Sequence, residues 1–477
     1  MREDIVTKVR EAFAAMSILK DSVRTNSIFA GRNLPSFVKD YLLKRHLDLQ
    51  TGDIDTLGLS RFLDKAIPAQ TAAVKDRILS GEEVSLLCRF SVYIDLVKGQ
   101  KQFAIPDYGV KLAEGIIPEY TYRQHQGELG DGEKWGIVKL CLLPDEGGTR
   151  NHVQMVDYKP FKPYSAVDVD YWCEARRGFT TDEWVDFLIS AMEYDPDGFE
   201  STTQKVEFLT RLLIFVEPRL NVVELAPKGT GKSYVFGNLS KYGWLVSGGK
   251  VTRAKLFYDK ARQQSGMIKN HDFVVFDEIQ TIKFQEPAEI QAALKSYLES
   301  GKTTIDNNEF SSECGLMLMG NIPLTSQRTP VSHLYFNSLP NSFQDSALLD
   351  RFHCFIKGWL LPRVNSSMMY RGWTINVEYF SEILHALRTV NTFGLLFDDV
   401  AKFEERADVR DSKAIKRVAT AYMKLLFPHW RTPSEVDRDE FRRFCLEPAR
   451  MRRGVIKEQC RNLDSEFNSE MPDVALV

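Results

Sequence analysis

One segment limits the folds open to this chain more than any other: Asn221-Val222-Val223-Glu224-Leu225-Ala226-Pro227-Lys228-Gly229-Thr230-Gly231-Lys232-Ser233. An apolar run of buried-strand type enters a glycine-containing loop, and Gly231-Lys232-Ser233 opens a helix. Backbone N–H groups in such a loop point inward and bind phosphate oxygens, and the helix N-terminus adds partial positive charge. The spacing assigns Pro227, Lys228, Gly229, Thr230 and Gly231 to the cradle, Lys232 to the β- and γ-phosphates and the Ser233 hydroxyl to Mg²⁺. The pattern expects glycine in first place, where this chain has Ala226, so the turn entry must lie in a backbone region open to alanine. The competing reading of the loop by itself is an αβ connection without ligand.

A second apolar strand, Phe273-Val274-Val275-Phe276, ends in Asp277-Glu278, about 45 residues after the loop. Neighbouring side chains at a strand end leave in different directions, so two carboxylates can divide the work. Asp277 is expected to hold Mg²⁺, directly or through water, and Glu278 to polarise the attacking water, because positioning and charge stabilisation do nearly all the work in phosphoryl transfer. A third strand, Leu316 to Met319, runs into Gly320-Asn321, whose amide is suited to the γ-phosphate or that water. Asn321 as a simple turn former is the alternative. Arg351 ends the helical stretch Ser346 to Asp350. It reads either as an arginine delivered across a subunit boundary to transition-state charge or as a surface arginine paired with Asp350.

From about 205 to 360, apolar runs alternate with helical patterns, the signature of a parallel α/β sheet. Residues 1–80 read as helical, and 81–165 as a β-rich module of four or five short strands, suiting a small barrel or sandwich with an OB-like module among the options. Thr180-Thr181-Asp182-Glu183 fits a capping box. The divisions expected are 1–80, 81–165, 166–375 for the nucleotide core and 376–477 for a mostly helical remainder. Lys plus Arg (62) nearly balances Asp plus Glu (65), so overall charge does not announce nucleic acid and any such site is local. Seven scattered cysteines without a Cys-x-x-Cys suit reduced thiols in a cytoplasm and give no zinc site. The N-terminus does not read as a signal peptide, and no apolar run is long enough to span a bilayer.

Together these residues resemble the AAA+ superfamily: Walker A at 226–233, Walker B at 273–278, sensor 1 at Asn321 and an arginine finger at Arg351. The resemblance implies a sensor 2 arginine in a helical lid. Arg410-Asp411-Ser412-Lys413-Ala414-Ile415-Lys416-Arg417 resembles the lid helix of MCM-type members, which places sensor 2 at Arg410, with Arg417 as second choice. Gly178 to Trp184, Leu225 to Ser233, Ser247 to Thr252, Leu256-Phe257-Tyr258, Asp272 to Glu278, Met319-Gly320-Asn321 and Leu349-Asp350-Arg351 narrow the likeness further. They are similar to the Lon-related AAA+ proteins of bacterial BREX phage-defence systems, the BrxL family, most strongly over 170–375.

The likeness implies ATP and Mg²⁺ as cofactors, hexameric rings or stacked pairs of rings, double-stranded DNA in the central channel and other BREX proteins as partners. That family carries a Lon-like domain with a Ser–Lys dyad after the ATPase; Val477 follows the lid region too closely for one, so proteolysis is not expected. Gly301 to Phe310 resembles a channel hairpin with Asn307-Asn308 at its tip, where Lys302 would meet phosphate; an ordinary exposed hairpin is the alternative. Arg442, Arg443, Arg450, Arg452, Arg453 and Lys457 read as a solvated helical face or subunit contact. The function expected is an oligomeric ATPase that binds or moves along DNA in phage defence. A protein-remodelling factor and a nucleotide-locked scaffold are the alternatives.

Overall fold

The computed structural model describes residues 1–20, 27–32, 34–48, 53–95, 99–130, 132–144, 151–164, 166–259, 264–305 and 308–477. They fall into two compact units: residues 23–165 with 258–266, and residues 1–22 with 166–257 and 267–477.

The smaller unit is built on five strands, β1 (Val84–Asp95), β2 (Gln100–Ile105), β3 (Val110–Ile116), β4 (Gly132–Leu143) and β5 (His152–Pro160). They close into a barrel in the order β1-β2-β3-β5-β4. The β3–β5 pair is parallel and every other pair antiparallel. Closure removes both sheet edges. Inward residues recur at every second position, and Phe90, Phe103, Val138, Leu140 and Met155 are wholly buried. Glu146-Gly147-Gly148, a turn signal between the strands in the sequence, lies outside the described residues.

The larger unit carries a sheet of β6 (Val222–Ala226), β7 (Gly243–Ser247), β8 (Phe273–Asp277), β9 (Gly315–Asn321) and β10 (Cys354–Lys357). Its order is β10-β6-β9-β8-β7, with all pairs parallel. Every residue of β6 and β8 is buried, as expected where helices cover both faces and strands read as unbroken apolar runs. The helices that matter below are α1 (Lys232–Asn238), α2 (Pro287–Ser300), α3 (Val409–Leu426) and α4 (Glu447–Leu463). Thr180 and Glu183 form the reciprocal cap expected of them.

Two expectations change. Residues 1–22 do not stay with a helical N-terminal region: Ser17–Leu19 pairs antiparallel with Trp373–Ile375, and Phe13 stacks on Phe187 in the larger unit's core. The basic run divides: Arg442 and Arg443 are exposed, as a solvated face requires, but Arg452, Arg453 and Lys457 in α4 are buried. Arg453 is 1% exposed, with Nε 2.7 Å from Asp411 and Nη2 2.5 Å from Asp350; Lys457 also pairs with Asp411, and Arg452 with Glu207 at 2.7 Å. Each buried cation meets a carboxylate from a distant segment, which offsets much of its desolvation.

Candidate nucleotide site

In an open parallel sheet, ligands bind beyond the carboxyl ends of the strands, and the phosphate-loop candidates converge there. β6 ends at Ala226, paired with Asn321 at the end of β9. Gly229 (φ 84°) and Gly231 (φ 75°) supply the left-handed backbone that turns the chain into α1. A Cβ at Gly231 would lie 2.5 Å from the Tyr194 hydroxyl, so glycine is needed there for close approach as well. Ala226 is accommodated by its neighbour: it keeps strand conformation, and a Cβ at Gly358 would fall 2.2 Å from its methyl carbon. The missing first glycine of the loop is thus matched by a glycine just after β10.

Lys232 is 7% exposed. Its Nζ donates to Asn321 Oδ1 at 2.9 Å and to the Gly320 carbonyl at 3.2 Å. Burial lowers its pKa, against the opposing pull of the Glu224 and Asp277 charges. The Ser233 hydroxyl donates to Asp277 Oδ2 at 2.6 Å. The other Asp277 oxygen accepts from the Glu278 N–H at 2.9 Å. Glu278 occupies the left-handed region (φ 46°, ψ 52°), a strained conformation for a residue with a side chain. That turn separates the exposed Glu278 carboxylate from the buried Asp277, as the adjacent pair requires for two jobs.

Three supports were not evident in the sequence reading. Arg211 and Glu224, both wholly buried, form a two-pronged ion pair (Nη2–Oε1 2.5 Å, Nε–Oε2 3.0 Å), and Arg211 Nη1 donates to the Thr230 carbonyl at 2.8 Å, gripping the loop from below. Gln280 brackets Asn321: its amide nitrogen donates to the Asn321 carbonyl at 2.8 Å and its oxygen accepts from the Asn321 N–H at 3.3 Å. Tyr234, next to Ser233, donates to the buried Glu193, which also pairs with Lys20 at 3.0 Å. A charge interrupting the run Leu209 to Val216 was the one signal of the first.

Arg351 and Arg410 are not at this site. Parallel register sets Cys354 level with Val222, and Asn221 Nδ2 donates to the Arg351 carbonyl at 3.4 Å, so Arg351 sits at the amino end of the sheet. The five-residue rise from Asn221 to Ala226 is roughly 17 Å. Arg351 Nε lies 3.2 Å from Glu299 on α2, and Arg410, at the start of α3, pairs with the same carboxylate at 2.8 Å and with Asp350 at 2.5 Å. The expected alternative of an Arg351–Asp350 pair is therefore replaced: Asp350 serves Arg410 and Arg453. Arg417 is apart from the loop too, its Nη1 donating to the Arg219 carbonyl at 3.0 Å.

Lys302–Ile305 and Asn308–Ser311 form the expected hairpin, with Lys302 paired across it to Glu309 at 3.1 Å; Asn307 lies outside the described residues. Among the described residues no cluster of three His, Cys, Asp or Glu could hold a metal by itself, and no helix is long and apolar enough to cross a membrane. All seven cysteines are free thiols.

Comparison with known proteins gives two family matches. The model described as "Lon-like protease BrxL-like, ATPase domain" matches residues 153–473, and "BREX system Lon protease-like protein BrxL N-terminal" matches residues 11–141. The "Lon-like protease BrxL" of Escherichia coli O9:H4 (strain HS) is 28% identical over 466 residues, covering 96% of this chain and 65% of the relative. That of Bacillus cereus (strain H3081.97) is 28% identical over 473 residues, covering 97% and 67%. The chain thus spans about two thirds of the length of these relatives. The uncharacterized protein ORF426 of Acidianus filamentous virus 1 is 23% identical over 352 residues, covering 66% of this chain and 80% of that protein.

Proposed function

The chain belongs to the BrxL family, whose ATPase-domain model covers residues 153–473, and from that premise we propose that it is an oligomeric, Mg²⁺-dependent ATPase acting on DNA within a BREX phage-defence system. The observation that carries this reading is the separation of two half-sites on one sheet. Loop, Lys232, Ser233, Asp277, Glu278 and Asn321 gather at the carboxyl end, whereas Arg351 and Arg410 share Glu299 at the amino end. No single chain brings both to one triphosphate. A neighbour in a ring does, its amino-end arginines meeting the first chain's loop.

Each residue then has a task. Backbone N–H groups from Lys228 to Gly231 bind phosphate oxygens, and Lys232 leaves Asn321 for the β- and γ-phosphates. Ser233 and Asp277, already within hydrogen-bond reach of each other, would hold a magnesium ion, which when bound would offset phosphate charge. Glu278 polarises the attacking water, and Asn321, set by Gln280, orients it. Arg351 and Arg410 stabilise transition-state charge in trans, Arg410 as the sensor 2 arginine of a helical lid built around α3.

DNA lies in the ring channel with Lys302 as a phosphate contact, and the barrel is by itself a second DNA-binding candidate. The barrel's strand order, with one parallel closing pair, supports an OB-like reading. Duplex DNA should stimulate hydrolysis with an affinity that falls steeply with salt; stimulation by a protein partner alone would favour remodelling instead. Mixing chains carrying Glu278→Gln with chains carrying Arg351→Ala tests the shared site. Each variant alone is inactive, and the mixture should recover hydrolysis at interfaces that pair two intact halves. A mixture as dead as its components sinks the reading.

A further inference from the structure

The larger unit has an open pocket of about 360 Å³, lined in part by Arg351 and Arg410 and by more cations than anions. Seven of its fifteen lining residues are Lys or Arg and two are Glu. One wall is a single stripe of α3. Arg410, Lys413, Arg417, Thr420 and Lys424 follow one another at steps of three and four, so their side chains share a helix face. Like charges at these spacings repel, and a helix presents four of them on one face at a cost unless anions answer them. The protein's own anions answer only part. Glu299 is shared by Arg351 and Arg410, Asp350 also pairs with Arg410, Asp398 with Lys416 and Glu313 with Arg219, and Glu217 lies 2.9 Å from Lys424. Among the described residues, neither Lys413 nor Arg417 has a carboxylate within ion-pair distance, and the hydrogen bond made by Arg417 goes to a backbone carbonyl.

Two further observations point into the cavity. Thr420 is 5% exposed, and its hydroxyl has no hydrogen-bond partner. Such a group is rare unless something external satisfies it. The local field is positive as well: burial, then the Arg417, Arg453 and Arg219 charges, holds His353 far below the ordinary imidazole pKa, and burial together with Arg219 lowers that of Arg417.

We propose that this cavity is a binding site for a small, multiply charged phosphate-bearing anion, distinct from the loop at Gly229–Ser233. The volume lies in the range of small-molecule sites rather than of a groove for a polymer. Guanidinium groups suit phosphate oxygens, and the Thr420 hydroxyl supplies a neutral donor. Occupancy competes with Glu299 for Arg351 and Arg410, which ties the site to the arginines assigned above to a neighbour's nucleotide; the binding itself does not depend on that assignment.

Two sources share this chemistry, a free anion and the phosphates of a neighbour's nucleotide. The probe is pyrophosphate, titrated calorimetrically at constant ionic strength into the full chain carrying Lys232→Ala, which disables the loop. Saturable binding is expected, weakened at least about tenfold by Arg417→Gln and about threefold by Thr420→Val. Thr420→Val is close in shape and keeps the test decisive should Arg417→Gln not fold. Absence of saturable binding below about 10 mM, or binding untouched by either change, overturns the proposal and leaves the cavity's charge to the neighbour's nucleotide. Loss of hydrolysis in Lys232→Ala tests the ATPase reading separately, since it leaves the cavity intact.

Discussion

The two ends of the parallel sheet are built differently. At the carboxyl end Lys232, Asp277, Arg211 and Thr230 are buried, and the groups are already aimed at one another: Lys232 on Asn321, Ser233 on Asp277, Arg211 beneath Thr230. At the amino end Arg351 is 18% exposed and Arg410 38%, and they share one carboxylate, Glu299, which is 42% exposed. A pre-formed pocket keeps its reorganisation small when charge develops, whereas a half-exposed ion pair can be exchanged for another anion at little cost. On the proposed shared site, one chain carries a pre-formed receptor and a more exposed arginine donor, each completed by another copy.

The largest effect should come from the donor. Arg351→Ala is expected to lower turnover of the assembled protein by about 10³- to 10⁵-fold while nucleotide affinity stays within about threefold of the parent. Lys232→Ala should do the reverse to binding, weakening nucleotide affinity at least about a hundredfold. Turnover and fluorescent-nucleotide binding measured side by side check both. If Arg351→Ala weakens binding as much as Lys232→Ala does, the two ends are not separate half-sites.

Next comes the support beneath the loop. Arg211→Met leaves Glu224 charged and wholly buried without its partner, which should cost about 3–5 kcal/mol of stability. Replacing both, Arg211→Met with Glu224→Leu, removes the orphaned charge and should recover most of that in denaturant unfolding. The double variant still lacks the donor to the Thr230 carbonyl, so nucleotide affinity should remain reduced by about three- to tenfold. Full recovery of affinity would show that the pair only fills space.

A smaller effect is expected where Ala226 meets Gly358. Gly358→Ala sets two methyl groups against each other at the strand end that launches the loop, an overpacking worth about 1–3 kcal/mol. Combining it with Ala226→Gly makes room again and should restore stability to within about 1 kcal/mol. Independent, additive losses would mean that the two positions do not compensate.

What the sequence revealed and what it concealed follows from distance along the chain. Lys232, Ser233, Asp277 and Asn321 were legible because each sits at the end of an apolar run, where the strand carries it to the common edge. Arg211 and Glu224 are charges inside apolar runs, and their pairing across 13 residues emerges only when the strand lies beside the helical segment. Arg452, Arg453 and Lys457 read as solvated because the local acids on α4 seemed to answer them. Their actual partners, Glu207, Asp350 and Asp411, come from three other segments. Residues 1–22 were read with the helices that follow because nothing local announces that Ile18 will pair beside Thr374.

The smallest expected effect is the most direct measure of how loosely the amino end is held. Glu299→Gln removes the carboxylate between Arg351 and Arg410 and keeps its shape. Because Glu299 is partly exposed and Arg410 retains Asp350, stability should change by less than about 1 kcal/mol. The consequence for turnover has a definite sign. With Glu299 neutral, both guanidinium groups lose a competitor for the incoming phosphate, so assembled turnover should hold or rise by about two- to fivefold. An equal loss of charge at the carboxyl end, Asp277→Asn, should abolish hydrolysis, since there the carboxylate is 4% exposed and faces the Ser233 hydroxyl. If Glu299→Gln instead stops turnover without unfolding the protein, Glu299 is itself needed to aim the arginines, and the amino end is as tightly built as the carboxyl end.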